Sequence, residues 1–91
     1  MAADYDLVFA PQFLADLSHW VRAEPRVAAR VLQLCQETGR DPYAGIGKPE
    51  RLKHRLSGLW SRRITAEHRL VYEVTSTAVR FVSCRYHYAD R

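Results

Sequence analysis

The N-terminal part of the chain carries the hydrophobic periodicity of one strand and two helices. Residues 4–10 (DYDLVFA) form a short run rich in aromatic and β-branched side chains, which predicts a strand. Apolar residues then recur every three or four positions over residues 11–23 and again over 25–38, which predicts two amphipathic helices. A proline begins each helix, and Gly39 stands where a helix end favours a left-handed residue. These patterns predict a strand followed by a helical hairpin.

The C-terminal half reads as a long loop followed by strands. Residues 39–56 show neither the hydrophobic period of a helix nor that of a strand for long, and three glycines and two prolines interrupt them. A loop of this length in a small domain is more often functional than idle. Three strand-like runs follow, LWSRRI from Leu59, RLVYEV from Arg69 and VRFVSCRYHY from Val79. Their short connections are typical of an antiparallel meander. We therefore expect an α+β fold in which a two-helix hairpin packs on a twisted, mostly antiparallel sheet of about four strands.

Strand alternation predicts which side chains share a face of this sheet. In the middle run, Leu70 and Tyr72 are expected to face the helices, and Arg69 the opposite side. In the last run, the apolar face is expected to contain Val82, Cys84 and Tyr86, with Phe81, Arg85 and His87 on the other side. Arg69, Arg85 and His87 are then predicted to lie together on the open face of the sheet.

Length and composition indicate one folded domain that spans residues 1–91. About half of the 91 residues are apolar and a quarter are charged, which is the balance of a globular protein. No apolar run approaches the length of a membrane span, and the N-terminus has no basic start or apolar core of a signal peptide. We expect a cytoplasmic protein with no membrane partner, in which Cys35 and Cys84 are buried thiols rather than a disulfide.

The net charge of +4 is unevenly distributed. Residues 1–47 carry a net charge of −2, whereas residues 48–91 carry +6. Tyrosine and histidine residues are interleaved with the basic residues of the second half. This pattern favours a nucleic-acid partner, with a solvated basic face as the ordinary alternative.

The spacing of the reactive side chains excludes several classes of site. Cys84 and His87 would fall on opposite faces of a strand, and no pair has a zinc-like CxxC or HxxxH spacing. The serines have no glycine-rich nucleophile elbow, and GIGKPE is not a phosphate-binding loop. We expect neither a metal nor any other cofactor.

Metal-free acid–base chemistry on an RNA phosphodiester remains. RNA carries its own nucleophile, so an enzyme needs a base for the 2′-hydroxyl, an acid for the leaving oxygen and cations for the developing charge. His87 titrates close enough to neutrality to act as acid or base, and Glu50 lies in the long loop among basic residues. Arg63 and Arg69 offer planar forks that match a phosphate. Each residue also fits an ordinary surface role, and non-catalytic RNA binding is equally open at this point.

Residues 48–88 contain six short motifs in a fixed order: KPE, LKH, LSG, WSRRI, EHRLVY and CRYHY. In these motifs the chain resembles the Txe/YoeB family, the YoeB branch of the RelE/ParE toxin superfamily. The resemblance implies a RelE-like fold and a type II toxin that acts as a ribosome-dependent, metal-independent endoribonuclease. Such a toxin would cut translated mRNA in the 30S decoding site and inhibit translation. It also implies a YefM-like antitoxin, whose disordered C-terminal segment folds onto the toxin.

The same resemblance assigns roles to individual residues. Glu50 of KPE is the implied general base, Arg69 of EHR stabilises the transition state, and His87 of CRYHY is the implied general acid. The RNA and phosphate contacts that it implies are Lys53, Arg63 and Tyr88. The implied acid, base and arginine coincide with the candidates found from charge and strand position.

Two other functions use the same scaffold. A ParE-like relative would inhibit DNA gyrase and would need neither Glu50 nor His87, so the presence of both speaks against it. A non-catalytic RNA- or ribosome-binding module would tolerate the loss of either residue. The acidic N-terminal half and its exposed apolar positions leave two uses open, a homodimer surface or the antitoxin groove.

Overall fold

Two helices in immediate succession cover one face of a five-stranded sheet in the computed structural model, which describes residues 4–86. The elements are β1 (Asp6–Phe9), α1 (Pro11–Ala23), α2 (Pro25–Arg40), β2 (Glu50–Arg51), a 3₁₀ turn (His54–Leu56), β3 (Leu59–Arg63), β4 (Arg69–Val74) and β5 (Ala78–Ser83). The strand order is β1-β5-β4-β3-β2, and β1 pairs with β5 in parallel while the other pairs are antiparallel. The predicted α+β fold is confirmed. The strand that the prediction of about four strands lacked is β2, whose two residues are too few to show an alternating hydrophobic pattern.

The core lies between the helices and the sheet. Its fully buried members include Phe13, Val31, Leu34, Leu70, Tyr72, Val79 and Phe81. Phe81 of β5 stacks on Phe9 at a centroid distance of 5.4 Å and contacts the Phe13 ring at 5.8 Å. Cys35 and Cys84 are both buried thiols rather than a disulfide, as predicted, and burial raises the pKa of the Cys35 thiol to about 12. Within residues 4–86, neither helix has the length and apolar character needed to cross a membrane.

A β-bulge in β5 makes the predicted faces of the last strand wrong. Val71 pairs with Ser83, but the next residue, Tyr72, pairs with Phe81, so Val82 is an extra residue in β5. Phe81 therefore faces the core, where it is fully buried, and Val82 is only half-buried. Cys84 returns to the core side as predicted, because the extra residue shifts the alternation by one.

The residues that follow β5 also differ from the expected arrangement. Tyr86 is 45% exposed and does not join the core. The guanidinium of Arg85 stacks on the Tyr86 ring, with its carbon 4.7 Å from the ring centroid, instead of lying free on the sheet face. His87 lies outside the described residues.

Gly39 lies within α2, so the predicted left-handed cap is wrong. The helix continues to Arg40, and Asp41 follows in an extended conformation. A Cβ atom at residue 39 would come within 2.8 Å of Leu7 Cδ2, and the Gly39 carbonyl accepts a hydrogen bond from the Tyr5 N–H. A larger residue here would displace the Leu7 side chain, because β1 packs closely against the helix.

Arg62 is a fully buried cation that holds the loop after α2. Its two terminal nitrogens donate to the carbonyl oxygens of Asp41, Ala44 and Ile46, and its Nε donates to the Tyr72 hydroxyl. Burial raises the pKa of that hydroxyl, which stays protonated and donates to the carbonyl oxygen of Pro42. The loop thus has a fixed path without regular secondary structure.

A backbone hydrogen bond links the loop to β3 at Gly47, three residues before Glu50. The Arg63 N–H donates to the Gly47 carbonyl oxygen at 2.6 Å. Gly47 has a φ of 82°, and a Cβ atom there would come within 2.9 Å of Leu34 Cδ2. The left-handed conformation and the close packing both require glycine, and they direct the chain into β2.

Arg62 and Arg63 provide a matched test of this anchor. We expect Arg62→Lys to lower the free energy of unfolding by about 2–4 kcal/mol, because an ammonium group cannot reach all of these acceptors. Arg63→Lys, on an exposed side chain, should change it by less than about 0.5 kcal/mol. Urea unfolding followed by circular dichroism measures both, and equal losses would contradict the anchoring role.

Candidate active site

The face of the sheet opposite the helices carries the predicted polar residues. Glu50 pairs with Ser61, and Ser61 pairs with Val71, so these three lie in one row across β2, β3 and β4. Arg63 and Arg69 pair with each other in the neighbouring row. Since paired residues project to the same side of a sheet, the carboxylate and both guanidinium groups share this face.

Glu50 and Arg69 form an ion pair at the edge of the site. Arg69 Nη1 lies 3.7 Å from Glu50 Oε1. The Arg69 side chain is 14% exposed, whereas that of Glu50 is 65% exposed. The guanidinium is thus set into the sheet surface, and the carboxylate above it faces solvent.

Two buried polar atoms on this face have unused hydrogen-bonding capacity. Within residues 4–86, Ser61 Oγ and Arg69 Nε are the buried side-chain nitrogen or oxygen atoms without a hydrogen-bond partner. Such atoms are uncommon in folded proteins, because leaving them unpaired costs free energy. Both atoms lie beside Glu50, so this part of the sheet has hydrogen-bonding groups that a ligand could use.

Backbone strain also concentrates around the site. Between residues 4 and 86, three residues other than glycine have a left-handed backbone: Lys48 (φ 51°), His54 (φ 59°) and Tyr86 (φ 63°). Each lies within two residues of a predicted site residue, namely Glu50, Lys53 and His87. Conformations of this kind cost roughly 1–3 kcal/mol each and persist where surrounding contacts impose them, often at functional sites.

The C-terminal segment reaches the site next to Arg69. The Arg69 backbone N–H donates to the Tyr86 carbonyl oxygen at 3.2 Å, so the chain passes along the start of β4. His87 and Tyr88, the predicted general acid and substrate contact, follow directly and lie outside the described residues.

The structure brings some predicted residues together and leaves one apart. Glu50, Arg63 and Arg69 share the site. Lys53 is exposed in the link after β2, and within residues 4–86 no hydrogen bond or ion pair joins it to them. Sequence reasoning missed Ser61, although its alternation with Arg63 could have placed it on the same face. No cluster of three or more histidine, cysteine or acidic residues within the described part of the chain could hold a metal ion.

Comparisons with known proteins agree with this architecture. Residues 9–88 match the family model of the YoeB-like toxin of bacterial type II toxin–antitoxin systems. Toxin YoeB of Escherichia coli K12 is 46% identical over 82 residues, which are 90% of this chain and 98% of that protein. The YoeB dimer from Staphylococcus aureus superposes with a TM-score of 0.84, and the chain matched in the YoeB–YefM complex from the same organism with 0.82. Both are 38% identical, and each match covers 94% of this chain and 100% of the other.

The geometry of the Glu50–Arg69 pair predicts that it contributes little to stability. Because Glu50 is mostly exposed, Glu50→Gln should change the free energy of unfolding by less than about 1 kcal/mol. Glu37→Gln, which removes a comparable surface pair with Arg40 at 3.6 Å, is the matched control. Urea unfolding of both variants tests this, and a loss above about 2 kcal/mol for Glu50→Gln alone would identify the pair as structural.

Proposed function

The chain belongs to the YoeB-like toxin family of bacterial type II toxin–antitoxin systems, and we propose that it inhibits translation as an endoribonuclease that cuts mRNA on the ribosome. The observation that carries this proposal is the ion pair of Glu50 and Arg69 on the open face of the sheet, with Arg63 beside it and the C-terminal segment adjoining it. A carboxylate, two guanidinium groups and a following histidine are the groups that cleavage of RNA without a metal requires.

In the proposed reaction, the protein moves two protons. Glu50 takes the proton of the ribose 2′-hydroxyl, whose oxygen attacks the adjacent phosphorus. The bond between phosphorus and the 5′-oxygen breaks, and His87 gives its proton to that oxygen. The products are a 2′,3′-cyclic phosphate and a free 5′-hydroxyl group.

The exposure of the two paired groups supports this division of roles. Glu50 is accessible to a substrate, as a base must be. The shielded guanidinium of Arg69 suits stabilisation of the charge that builds on phosphorus, because electrostatic interactions strengthen away from water. Arg63 and Lys53 would contact neighbouring phosphates, and Tyr88 would orient the substrate.

Binding partners follow from the relatives. The S. aureus relative has been solved as a dimer and in complex with YefM. We propose that this chain likewise binds a YefM-like antitoxin and forms a homodimer, and that its mRNA substrate is presented in the 30S decoding site. The exposed apolar residues available for such contacts include Leu7, Val8, Phe9, Leu14 and Val21.

Cleavage of a defined mRNA tests the proposed activity. Primer extension in a purified translation system, with and without ribosomes, should show cuts that need ribosomes. Glu50→Gln and His87→Ala should each slow cleavage by roughly 10²–10⁴-fold, as expected for the loss of a general base or acid. Glu37→Gln, in α2 on the helix-covered side of the sheet, should retain the wild-type rate.

The alternatives predict different results in the same assay. If the mRNA is bound to the toxin–ribosome complex but stays intact, the chain is a binding module. If translation is unaffected and supercoiling by DNA gyrase is inhibited, it is a gyrase inhibitor. Cleavage within about threefold of wild type in both site variants would remove Glu50 and His87 from the chemistry.

A further inference from the structure

His68 lies where the chain leaves the sheet after β5. Its Nδ1 accepts a hydrogen bond from the Tyr86 backbone N–H at 2.6 Å. Its ring lies edge-on to Trp20 at a centroid distance of 4.7 Å and contacts the Tyr86 ring at 5.4 Å. The backbone of His68 is itself fixed, because its N–H donates to Thr65 Oγ1 and its carbonyl oxygen accepts from the Ile64 N–H. The imidazole is therefore a rigid link between the β3–β4 turn and Tyr86.

This hydrogen bond requires one state of the ring. An imidazole nitrogen accepts a hydrogen bond only when it carries no proton, so this bond requires a bare Nδ1 on His68. The two polar backbone groups of Tyr86 are then both used, the N–H by His68 and the carbonyl oxygen by the Arg69 N–H. Together these bonds hold Tyr86 at a φ of 63°, which a tyrosine rarely adopts without such support.

The chain immediately before Tyr86 is held separately. The Cys84 N–H donates to Asp16 Oδ2 at 2.9 Å, and Trp20 Nε1 donates to the Cys84 carbonyl oxygen at 2.8 Å. Loss of the His68 bond would thus leave Cys84 in place and remove one of the two backbone hydrogen bonds that support the positive φ of Tyr86. The conformation of Tyr86 therefore depends on His68 more than that of Cys84 does.

We propose that His68 is a positioning residue, whose imidazole holds Tyr86 in its left-handed conformation, and that catalysis by His87, the next residue in the chain, depends on that conformation. This inference rests on the proposed function, because it takes His87 as the general acid. His68 does not itself contact the substrate in this scheme.

Two substitutions separate the hydrogen bond from the ring contacts. His68→Phe keeps a ring against Trp20 and Tyr86 and removes the acceptor, whereas His68→Asn loses the ring and can place its amide oxygen near the Nδ1 position. His19→Phe is the matched control, because His19 also lies edge-on to Trp20, at 4.9 Å, and within residues 4–86 no hydrogen bond links it to Tyr86.

Single-turnover cleavage on programmed ribosomes should be roughly 10- to 100-fold slower for His68→Phe, at an unchanged half-saturating toxin concentration. His68→Asn should recover most of the rate, and His19→Phe should retain it.

A double-mutant cycle with His87→Ala distinguishes positioning from a general loss of structure. If His68 acts through His87, His68→Phe should slow the His87→Ala variant by less than about twofold. Equal losses in both backgrounds would overturn the proposal, as would a His68→Phe rate within about threefold of wild type. In either case a cleaving wild type leaves the proposed function intact.

Nitrogen-15 NMR tests the hydrogen bond without reference to cleavage. His68 should show a bare Nδ1, and the Tyr86 amide should exchange slowly with solvent in the wild type and His68→Asn, but faster in His68→Phe. Unchanged exchange in His68→Phe would overturn the inference even in an active toxin. A wild type that does not cleave mRNA would instead refute the proposed function, and with it any catalytic role for the position of His87.

Discussion

The burial of the Arg62 guanidinium is the constraint on which the site depends. A cation inside a protein must have its hydrogen bonds satisfied, and here the acceptors are backbone carbonyl groups of the loop after α2 together with the Tyr72 hydroxyl. The loop has no regular secondary structure of its own, so these bonds determine its course. Because the loop continues into β2, the same cation fixes where Glu50 enters the sheet.

Alternation along β3 and β4 lets one pair of strands serve both the core and the site. Arg62 and Tyr72 project to the helices, while Ser61, Arg63 and Arg69 project to the open face. These three polar side chains thus stand on strands that are paired on both edges rather than on a loop. Such support holds a guanidinium in one orientation, which electrostatic stabilisation of a transition state needs.

Two less regular parts of the chain adjoin this face, β2 and residues 84–86 after β5. A left-handed residue lies at each, Lys48 shortly before β2 and Tyr86 after β5. At Tyr86 the supporting contact comes from His68 in the β3–β4 turn, while Asp16 and Trp20 of α1 hold Cys84 two residues earlier. Helix α1 therefore stabilises the core and also fixes the chain where it leaves β5.

The sequence by itself predicted both helices, four of the five described strands and the principal charged residues of the candidate site. Local periodicity is sufficient for α1, α2 and the meander, because each element buries one face against the same core. The motifs and the basic C-terminal half identified Glu50 and Arg69, which the structure places 3.7 Å apart. These features depend on residues near one another in sequence.

The tertiary structure decided what depends on contacts between distant residues. The bulge at Val82 changed the faces of β5, since a single extra residue reverses the alternation without leaving a sequence signal. Gly39 lies inside α2 against the Leu7 side chain and does not form a helix cap. The anchoring role of Arg62 and the bond from Tyr86 to His68 likewise join residues far apart in the chain. Periodicity reports which face a side chain occupies, and only the folded arrangement determines which partner it meets there.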